Sequence, residues 1–163
     1  MPATRSSRPA AATPAGQLSE AKLHQILGYQ MAQATITTTA VFMKLVGDPL
    51  DLRPVEYTIL TLINENPGGS PARLSKALGV TPPNITVWID KLETRGLVAR
   101  ERNITDRRAQ HLHTTAKGAD LASKATQQLL KGEREALAGL SEGERTILVE
   151  LLHKVACARE TKP

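Results

Sequence analysis

Two short amphipathic segments, separated by only a tight turn, limit most strongly what this chain can fold into. The first begins at Ser70-Pro71 and stops at Gly79, and the second begins at Thr81-Pro82. Serine or threonine before proline is typical of a helix start, and glycine of a helix end. Four apolar residues of the second segment fall at i, i+3, i+4 and i+7: Ile85, Trp88, Ile89 and Leu92. The pattern predicts two helices packed as a helix-turn-helix, with one face of the second helix buried.

The rest of the chain also favours helices. Its 163 residues are the length of one domain, and they include only one Trp, two Tyr and one Phe, so the core must consist mainly of Leu, Ile, Val and Ala. From Ser19 to about Val46, apolar residues recur at helical spacing without an interior proline. A helix of about 28 residues extends past a compact core, and we expect part of its apolar face to pack on a second copy of the chain.

The remaining segments complete a mainly α fold. Pro54 to about Asn64 and Thr115 to about Ala138 have helical spacing, and the capping box of Ser141 and Glu144 opens a last helix. Residues 97–102 and 110–114 read as two strands around the polar tip 103–108, which predicts a β-hairpin wing beside the helix-turn-helix. The predicted fold class is therefore a winged helix-turn-helix with a two-stranded wing and long N- and C-terminal helices.

The charge of the chain is concentrated in its middle. The formal net charge is +5, and from Arg73 to Arg108 there are eight basic residues against four acidic ones. Such a concentration favours a polyanionic partner, although a solvated charged face is the alternative reading of charge alone. Double-stranded DNA is the partner that the helix-turn-helix position of this charge predicts.

The second helix of a helix-turn-helix lies in the major groove and turns its first residues toward base edges. We expect Thr81, Asn84 and Thr86 to hydrogen-bond bases or phosphates, Val87 to touch a thymine methyl and Lys91 to reach a phosphate. The predicted contact surface of this helix is Thr81, Pro83, Asn84, Thr86, Val87 and Lys91. Trp88 belongs instead to the apolar stripe and is predicted to be a core residue.

The tip of the wing concentrates guanidinium groups on a projecting hairpin. Arginines there can enter a narrow minor groove, which has an enhanced negative potential. An aspartate two residues before an arginine can hold that guanidinium by a bidentate pair, and a simple surface ion pair is the alternative. The predicted wing contacts are Arg102, Asp106, Arg107 and Arg108.

Several classes of protein are excluded by what the sequence lacks. No Ser/His/Asp order, phosphate loop or metal-ligand cluster is present, so we expect neither an enzyme nor a cofactor or metal site. The pair His111 and His113 lacks a third ligand and is read as a solvent-facing strand pair. One cysteine, Cys157, cannot form an internal disulfide. No apolar run approaches the roughly 20 residues that a membrane span needs, so we expect a cytoplasmic protein without a membrane partner.

Five motifs occur in an order that resembles the MarR family of regulators. They are Leu52-x-Pro54-x-x-Tyr57, the helix-turn-helix from Leu74 to Leu92, the stretch Asp90-Lys91-Leu92-Glu93-x-x-Gly96-Leu97-Val98, Asp106-x-Arg108, and Thr115-x-x-Gly118. The resemblance covers roughly residues 20 to 157. It implies a homodimeric winged-helix repressor with intertwined terminal helices, a small-molecule pocket between these helices and the DNA-binding lobe, and a wing in which Asp106 partners Arg108.

The resemblance also organises the chain. We expect a disordered basic tail over 1–17, an N-terminal dimerisation helix and linker over 18–52, a winged lobe over 53–114, and C-terminal dimerisation helices over 115–163. The predicted function is release of a sequence-specific repressor from a pseudo-palindromic operator by a small ligand that changes the spacing of two recognition helices. A winged-helix module that binds a protein partner without specific DNA binding is the alternative.

Three features depart from the family pattern. Val87 stands where many members carry a base-reading arginine, and Arg53 stands where a threonine usually caps the second helix. Cys157 lies at the C-terminal end and not in the first helix, where the peroxide-sensing branch of the family places its reactive thiol, so it is interpreted as a structural or incidental cysteine. The guanidinium of Arg53 is a candidate partner for the aromatic carboxylate that the resemblance implies as effector. The candidate pocket residues are His24, Tyr29, Gln30, Thr38, Arg53 and Tyr57. For the hydroxyl groups among them, hydrogen bonds back to helix carbonyls are the alternative reading.

Overall fold

A computed structural model describes residues 12–102 and 110–159 of the chain. The chain divides into two compact units, Met1–Ala40 and Val41–Pro163. The elements are α1 (Leu27–Phe42), a π-helical turn (Met43–Gly47), α2 (Asp48–Leu50), α3 (Pro54–Glu65), α4 (Pro71–Leu78), α5 (Pro82–Thr94), β1 (Val98–Arg102), β2 (Gln110–Thr114), α6 (Ala116–Ala136) and α7 (Glu142–Cys157). The strands pair antiparallel. This architecture confirms the predicted mainly α fold with a two-stranded wing.

The core of the second unit is aliphatic, as the shortage of aromatic residues predicts. Its large, fully buried side chains are Ile59, Leu60, Ile85, Ile89, Leu92, Leu97, Leu112 and Val46. They come from α3, α5, β2, the residue before β1 and the π-helical turn, so α5 is held by neighbours from several parts of the sequence. Trp88 is half-buried and packs against this cluster, which confirms its placement on the apolar stripe.

The helix ends follow the predicted signals with one exception. The Ser70 hydroxyl accepts a hydrogen bond from the Arg73 amide at 3.3 Å, and Gly79 ends α4 with a φ of +65°, which a residue without Cβ adopts at no steric cost. Thr81 occupies the N-cap position of α5, but its side chain makes no capping hydrogen bond, contrary to the prediction. The start of α5 is set instead by Pro82, whose φ is already helical.

The prediction of one helix from Ser19 to about Val46 is wrong at its N-terminal end. The α-helix begins at Leu27, and after Phe42 the helical structure continues as the π-helical turn Met43–Gly47. At the N-terminal end, the Glu20 carbonyl accepts hydrogen bonds from the amides of Leu23 and His24, which closes a turn before the helix. The Glu20 carboxylate then accepts a hydrogen bond from the Tyr29 hydroxyl at 2.7 Å. These polar contacts outweigh the apolar spacing, and they hold Glu20 buried.

The corner between the wing and α6 explains the Thr115-x-x-Gly118 motif. The Thr115 hydroxyl donates to the Gly96 carbonyl at 2.7 Å and accepts from the Gly118 amide at 3.0 Å. The Leu97 carbonyl accepts a hydrogen bond from the Thr115 amide. A Cβ placed on Gly118 would lie 1.9 Å from that same carbonyl oxygen, so α6 approaches the backbone more closely than any side chain permits.

Gly118→Ala is therefore expected to lower the free energy of unfolding by about 3 kcal/mol, because backbone rather than a flexible side chain must move. Gly143→Ala is the matched control, since it adds the same methyl to α7 with nothing within 4 Å. We expect this control to be neutral or more stable by up to about 1 kcal/mol. Urea unfolding followed by circular dichroism measures both, and equal stability of the two variants would contradict the close approach.

Candidate nucleic-acid interface

The outer face of α5 presents all six residues that the sequence predicts as contacts of this helix. Thr81, Pro83, Asn84, Thr86, Val87 and Lys91 are exposed, and Val87 retains 54% of its accessible surface. The opposite face is locked into the core by Ile85, Ile89 and Leu92. The rotation of α5 about its own axis is thereby fixed, and the polar and small residues share one surface.

Two of these side chains are already engaged within the chain. The Thr86 hydroxyl donates to the Pro82 carbonyl at 3.1 Å, which leaves its oxygen available as an acceptor. The Lys91 ammonium lies 3.6 Å from the carboxylate of Glu56, which is buried on α3 and also accepts a hydrogen bond from the Arg53 amide at 3.1 Å. Lys91 therefore serves α3 as a counter-ion while its side chain stays 46% exposed.

The wing is described only in its strands. The backbone of Arg102 closes β1, where it pairs with Gln110 of β2. Asp106, Arg107 and Arg108, with the rest of 103–109, lie outside the described residues. The predicted contacts of the wing tip, including the pair of Asp106 and Arg108, remain predictions.

Arg100 on β1 joins the wing to α5. Its guanidinium forms an ion pair with the carboxylate of Asp90, and its Nε lies 3.4 Å from the carboxylate of Glu93. The Arg100 side chain is 22% exposed, whereas the side chains of Asp90 and Glu93 are 53% and 41% exposed. The Arg100 side chain therefore lies between β1 and α5 and is less exposed to solvent than the two carboxylates that it contacts.

The C-terminal end of α5 is tied to the segment that precedes α3. The Arg95 guanidinium donates hydrogen bonds to the carbonyls of Leu50, at 3.0 Å, and Asp51. Asp51 has a φ of +49°, a left-handed conformation that is uncommon for a residue with a side chain. Lys117 in turn donates to the Arg95 carbonyl at 3.0 Å. Arg95 therefore links the end of α5 to the segment before α3 and to α6.

An open groove of about 560 Å³ runs between the segment before α3 and the outer side of α5. It is lined by Asp51, Arg53, Glu56, Val87, Asp90, Lys91, Thr94 and Arg95. Arg53 is exposed, and its side chain has no ionic or hydrogen-bond partner among the described residues. The groove brings this candidate ligand residue to the same surface as two candidate DNA contacts, Val87 and Lys91.

Tyr57, the other candidate ligand residue of the second unit, is engaged in packing. Its hydroxyl lies 2.9 Å from the Thr126 hydroxyl of α6, and its ring lies 5.8 Å from the ring of Phe42, centroid to centroid. It is absent from the lining of the groove that contains Arg53.

In the first unit, the candidate ligand residues His24, Tyr29, Gln30 and Thr38 all make hydrogen bonds within that unit. The Glu20 carboxylate joins Tyr29 to His24, whose Nδ1 lies 3.2 Å away, and these two hydrogen bonds, that of Tyr29 above all, hold the pKa of Glu20 below its ordinary value. The same carboxylate raises the pKa of Tyr29. Gln30 donates to the His24 carbonyl, and the Thr38 hydroxyl bonds back to its own helix. Thr38 therefore fits the alternative of a hydroxyl that bonds back to helix carbonyls, whereas the Tyr29 hydroxyl bonds to a carboxylate instead.

No group of three potential metal ligands occurs within residues 12–102 and 110–159. His111 lies 2.8 Å from the Gly68 carbonyl through Nδ1, and His113 lies 3.5 Å from the Glu101 carboxylate through Nε2. Cys157 is exposed on α7. Within the described part of the chain, no helix is both long and apolar enough to cross a bilayer.

Three features of this surface were missed by sequence reasoning. The sequence does not predict the contacts of Arg95, Arg100 and Glu56, because their partners lie in other elements. A strand register would have indicated Arg100, since it stands opposite the core residue Leu112 in the sheet. No sequence signal indicates the hydrogen bonds of Arg95 to two backbone carbonyls.

The chain is similar in sequence to known transcriptional regulators. A family model described as MarR family matches residues 52–109. A protein of Thauera aromatica, described as a putative transcriptional regulatory protein for the hcr operon, is 30% identical over 129 residues, which are 79% of this chain and 78% of that protein.

Two solved structures of DNA complexes are also similar. The transcriptional repressor CouR, bound to a 23-mer DNA duplex, has a TM-score of 0.78 and 29% identity, and the match covers 85% of this chain and 98% of CouR. A point mutant of MarR from E. coli, complexed with operator DNA, has a TM-score of 0.70 and 25% identity over 79% of this chain and 92% of that one. Both place a winged-helix fold of this kind on duplex DNA.

Proposed function

The chain belongs to the MarR family of DNA-binding transcriptional regulators, and we propose that it acts as a homodimeric repressor that a small aromatic carboxylate releases from a pseudo-palindromic operator. Membership confirms the resemblance that the motifs indicate. The regulators of this family are transcription factors and not enzymes. Repression, the dimer, the operator and the effector are the parts that we propose.

The observation that carries sequence-specific binding is the outer face of α5. Six predicted contacts are exposed together there, while three fully buried residues on the opposite face prevent the helix from rotating. CouR, a structure similar to this chain, is a repressor and is bound to a DNA duplex. A recognition helix held in this way reads base edges through Asn84 and Thr86, and neighbouring cations anchor it on phosphates.

The apolar surface of α7 supports the dimer. No residue of this helix is buried, although it carries six large aliphatic side chains with exposures of 41–64%: Ile147, Leu148, Val149, Leu151, Leu152 and Val155. A monomer rarely leaves so continuous an apolar stripe in water. Several apolar residues of the first unit are exposed as well, namely Leu18, Leu23, Ile26, Leu27 and Ile36. A second copy of the chain supplies a partner with matching apolar helices.

The groove beside α5 supports an anionic effector. It contains the unpartnered guanidinium of Arg53, and its volume lies in the range of small-molecule sites. A carboxylate gains a charge-assisted hydrogen bond from such a guanidinium. A ligand seated there also contacts Val87 and Lys91, so bound ligand and bound DNA compete for one surface of α5. Such competition lowers the affinity for DNA. The size of the effect is set by how much more tightly the ligand binds the free protein than the DNA-bound protein.

Specific DNA binding is expected to depend on the wing as well as on α5. Arg108→Ala should weaken binding to the DNA upstream of the chain's own gene at least tenfold and lower the salt slope by about one contact, because a guanidinium in the minor groove displaces counterions. Fluorescence anisotropy at two salt concentrations, with a scrambled duplex for comparison, measures both. Lys124→Ala, which removes a charge from the exposed surface of α6, is the control. Equal, salt-insensitive binding to both duplexes would instead favour the protein-binding module.

The dimer is expected to depend on the apolar stripe of α7. Leu151→Asp places a charge among apolar residues and should convert the dimer to a monomer at micromolar concentration, as measured by sedimentation velocity. Glu150→Gln, on the polar side of the same helix, is the control and should leave the dimer intact. A Leu151→Asp variant that sediments like the wild type would show that α7 does not form the interface.

The effector site is tested with benzoate as the probe and benzamide as its uncharged analogue. Benzoate should lower the DNA affinity of the wild type, and Arg53→Ala should raise the required benzoate concentration at least tenfold, because the charge-assisted hydrogen bond is lost. Lys124→Ala again serves as the control. If Arg53→Ala responds to benzoate as the wild type does, or if benzamide acts equally well, Arg53 is not the carboxylate partner.

A further inference from the structure

We propose that Arg100 positions the recognition surface, by holding the carboxylates of Asp90 and Glu93 against β1 and so keeping their charge away from DNA phosphates. The inference rests on the proposed DNA binding of α5. Arg100 is a positioning residue in this account, because it acts on DNA through the two acids and not by touching it.

The sheet register explains why Arg100 faces α5. Arg100 stands opposite Leu112, which is fully buried, and directly opposed residues of an antiparallel pair project to the same side of the sheet. The side chain therefore leaves β1 on the core side and must find a polar partner at the edge of the core. α5 provides two carboxylates one turn apart, at Asp90 and Glu93.

The position of Asp90 makes this pairing matter for DNA. Asp90 follows Thr86 by four residues and Val87 by three, so it continues the exposed face that carries the predicted contacts. A free carboxylate at that place would lie well within one screening length of the phosphates and would repel them. Ion pairing with Arg100 offsets the charge and holds the side chain toward the wing.

The pair of acids also explains why arginine suits this position. A guanidinium presents donors on several edges of one plane and can serve two carboxylates at once, whereas a lysine ammonium is a single point charge. A terminal nitrogen of its planar group donates a hydrogen bond to Asp90, and its Nε lies 3.4 Å from Glu93, an ion pair without a hydrogen bond. The same contacts link β1 of the wing to the recognition helix.

Direct contact of Arg100 with a phosphate is the competing explanation of any loss of binding, and second substitutions separate the two. Arg100→Gln frees both carboxylates and should raise the Kd for the specific duplex at least tenfold. Adding Asp90→Asn to that variant should bring the Kd back to within threefold of the wild type, and further addition of Glu93→Gln should not weaken it. If Arg100 contacts DNA itself, Asp90→Asn changes the Kd of Arg100→Gln by no more than it changes the Kd of the wild type, and the salt slope of Arg100→Gln falls by about 0.9.

Lys124→Gln is the matched control, since it removes one exposed positive charge from α6 and should change the Kd less than twofold. Arg100→Lys keeps the charge without the two-sided geometry and should raise the Kd between threefold and tenfold, again reversed by Asp90→Asn. If Arg100→Gln shows no cooperative melting, Arg100→Lys with and without Asp90→Asn is used in its place. Failure of Asp90→Asn to restore binding in either background overturns the proposal.

A measurement without DNA separates this proposal from the proposed function. Arg100→Gln should lower the melting temperature by about 3 °C, and the same substitution in an Asp90→Asn, Glu93→Gln background should lower it by less than half as much. If the wild type binds no duplex while this coupling is present, the proposed function fails and the pairing stands. If the shifts are additive, the three residues do not act together and the inference fails.

Discussion

Burial of one stripe of α5 is the constraint on which the rest of this surface depends. Ile85, Ile89 and Leu92 are fully excluded from water, and together their burial contributes several kcal/mol to folding. Any rotation of the helix would expose them, so the residues between them are held outward at a constant angle. The exposed face from Thr81 to Lys91 is thus a consequence of core packing, and a recognition helix needs such a fixed presentation to distinguish base edges.

Polar contacts add to the hydrophobic burial that sets the rotation of α5. The hydrogen bonds of Arg95 to the carbonyls of Leu50 and Asp51 secure one end, and the ion pairs of Arg100 secure the side next to the wing. The close approach of Gly118 to Leu97 holds α6 against the same corner. Charged side chains with several donors perform this role because each reaches a backbone or carboxylate partner in a different element.

The sequence predicted those parts of the structure that local patterns encode. Apolar spacing and capping residues placed α3 to α7 and both strands, because each signal lies within one element. The start of the first helix was mispredicted because a buried carboxylate, Glu20, takes its hydrogen bond from Tyr29 nine residues away. The role of Arg100 and the groove beside Arg53 were missed for the same reason. Their partners are brought together by the fold, and no spacing along the chain records that contact.

The last helix, α7, connects the proposed dimer interface with the helix-turn-helix. Its apolar middle is exposed, yet just beyond its end the Arg159 guanidinium donates a hydrogen bond to the Ala77 carbonyl at 3.0 Å, at the C-terminal end of α4. That carbonyl belongs to the last turn of α4 and has no partner in the next turn of its own helix, so a cation there is favourable. In the proposed dimer, the partner packs on the middle of α7. The residue just after α7 is hydrogen-bonded to α4, the first helix of the helix-turn-helix, so α7 connects the dimer interface to the DNA-binding lobe. The spacing of the two DNA-binding lobes then depends on how α7 is covered, and this dependence is separate from the competition between ligand and DNA in the groove beside α5.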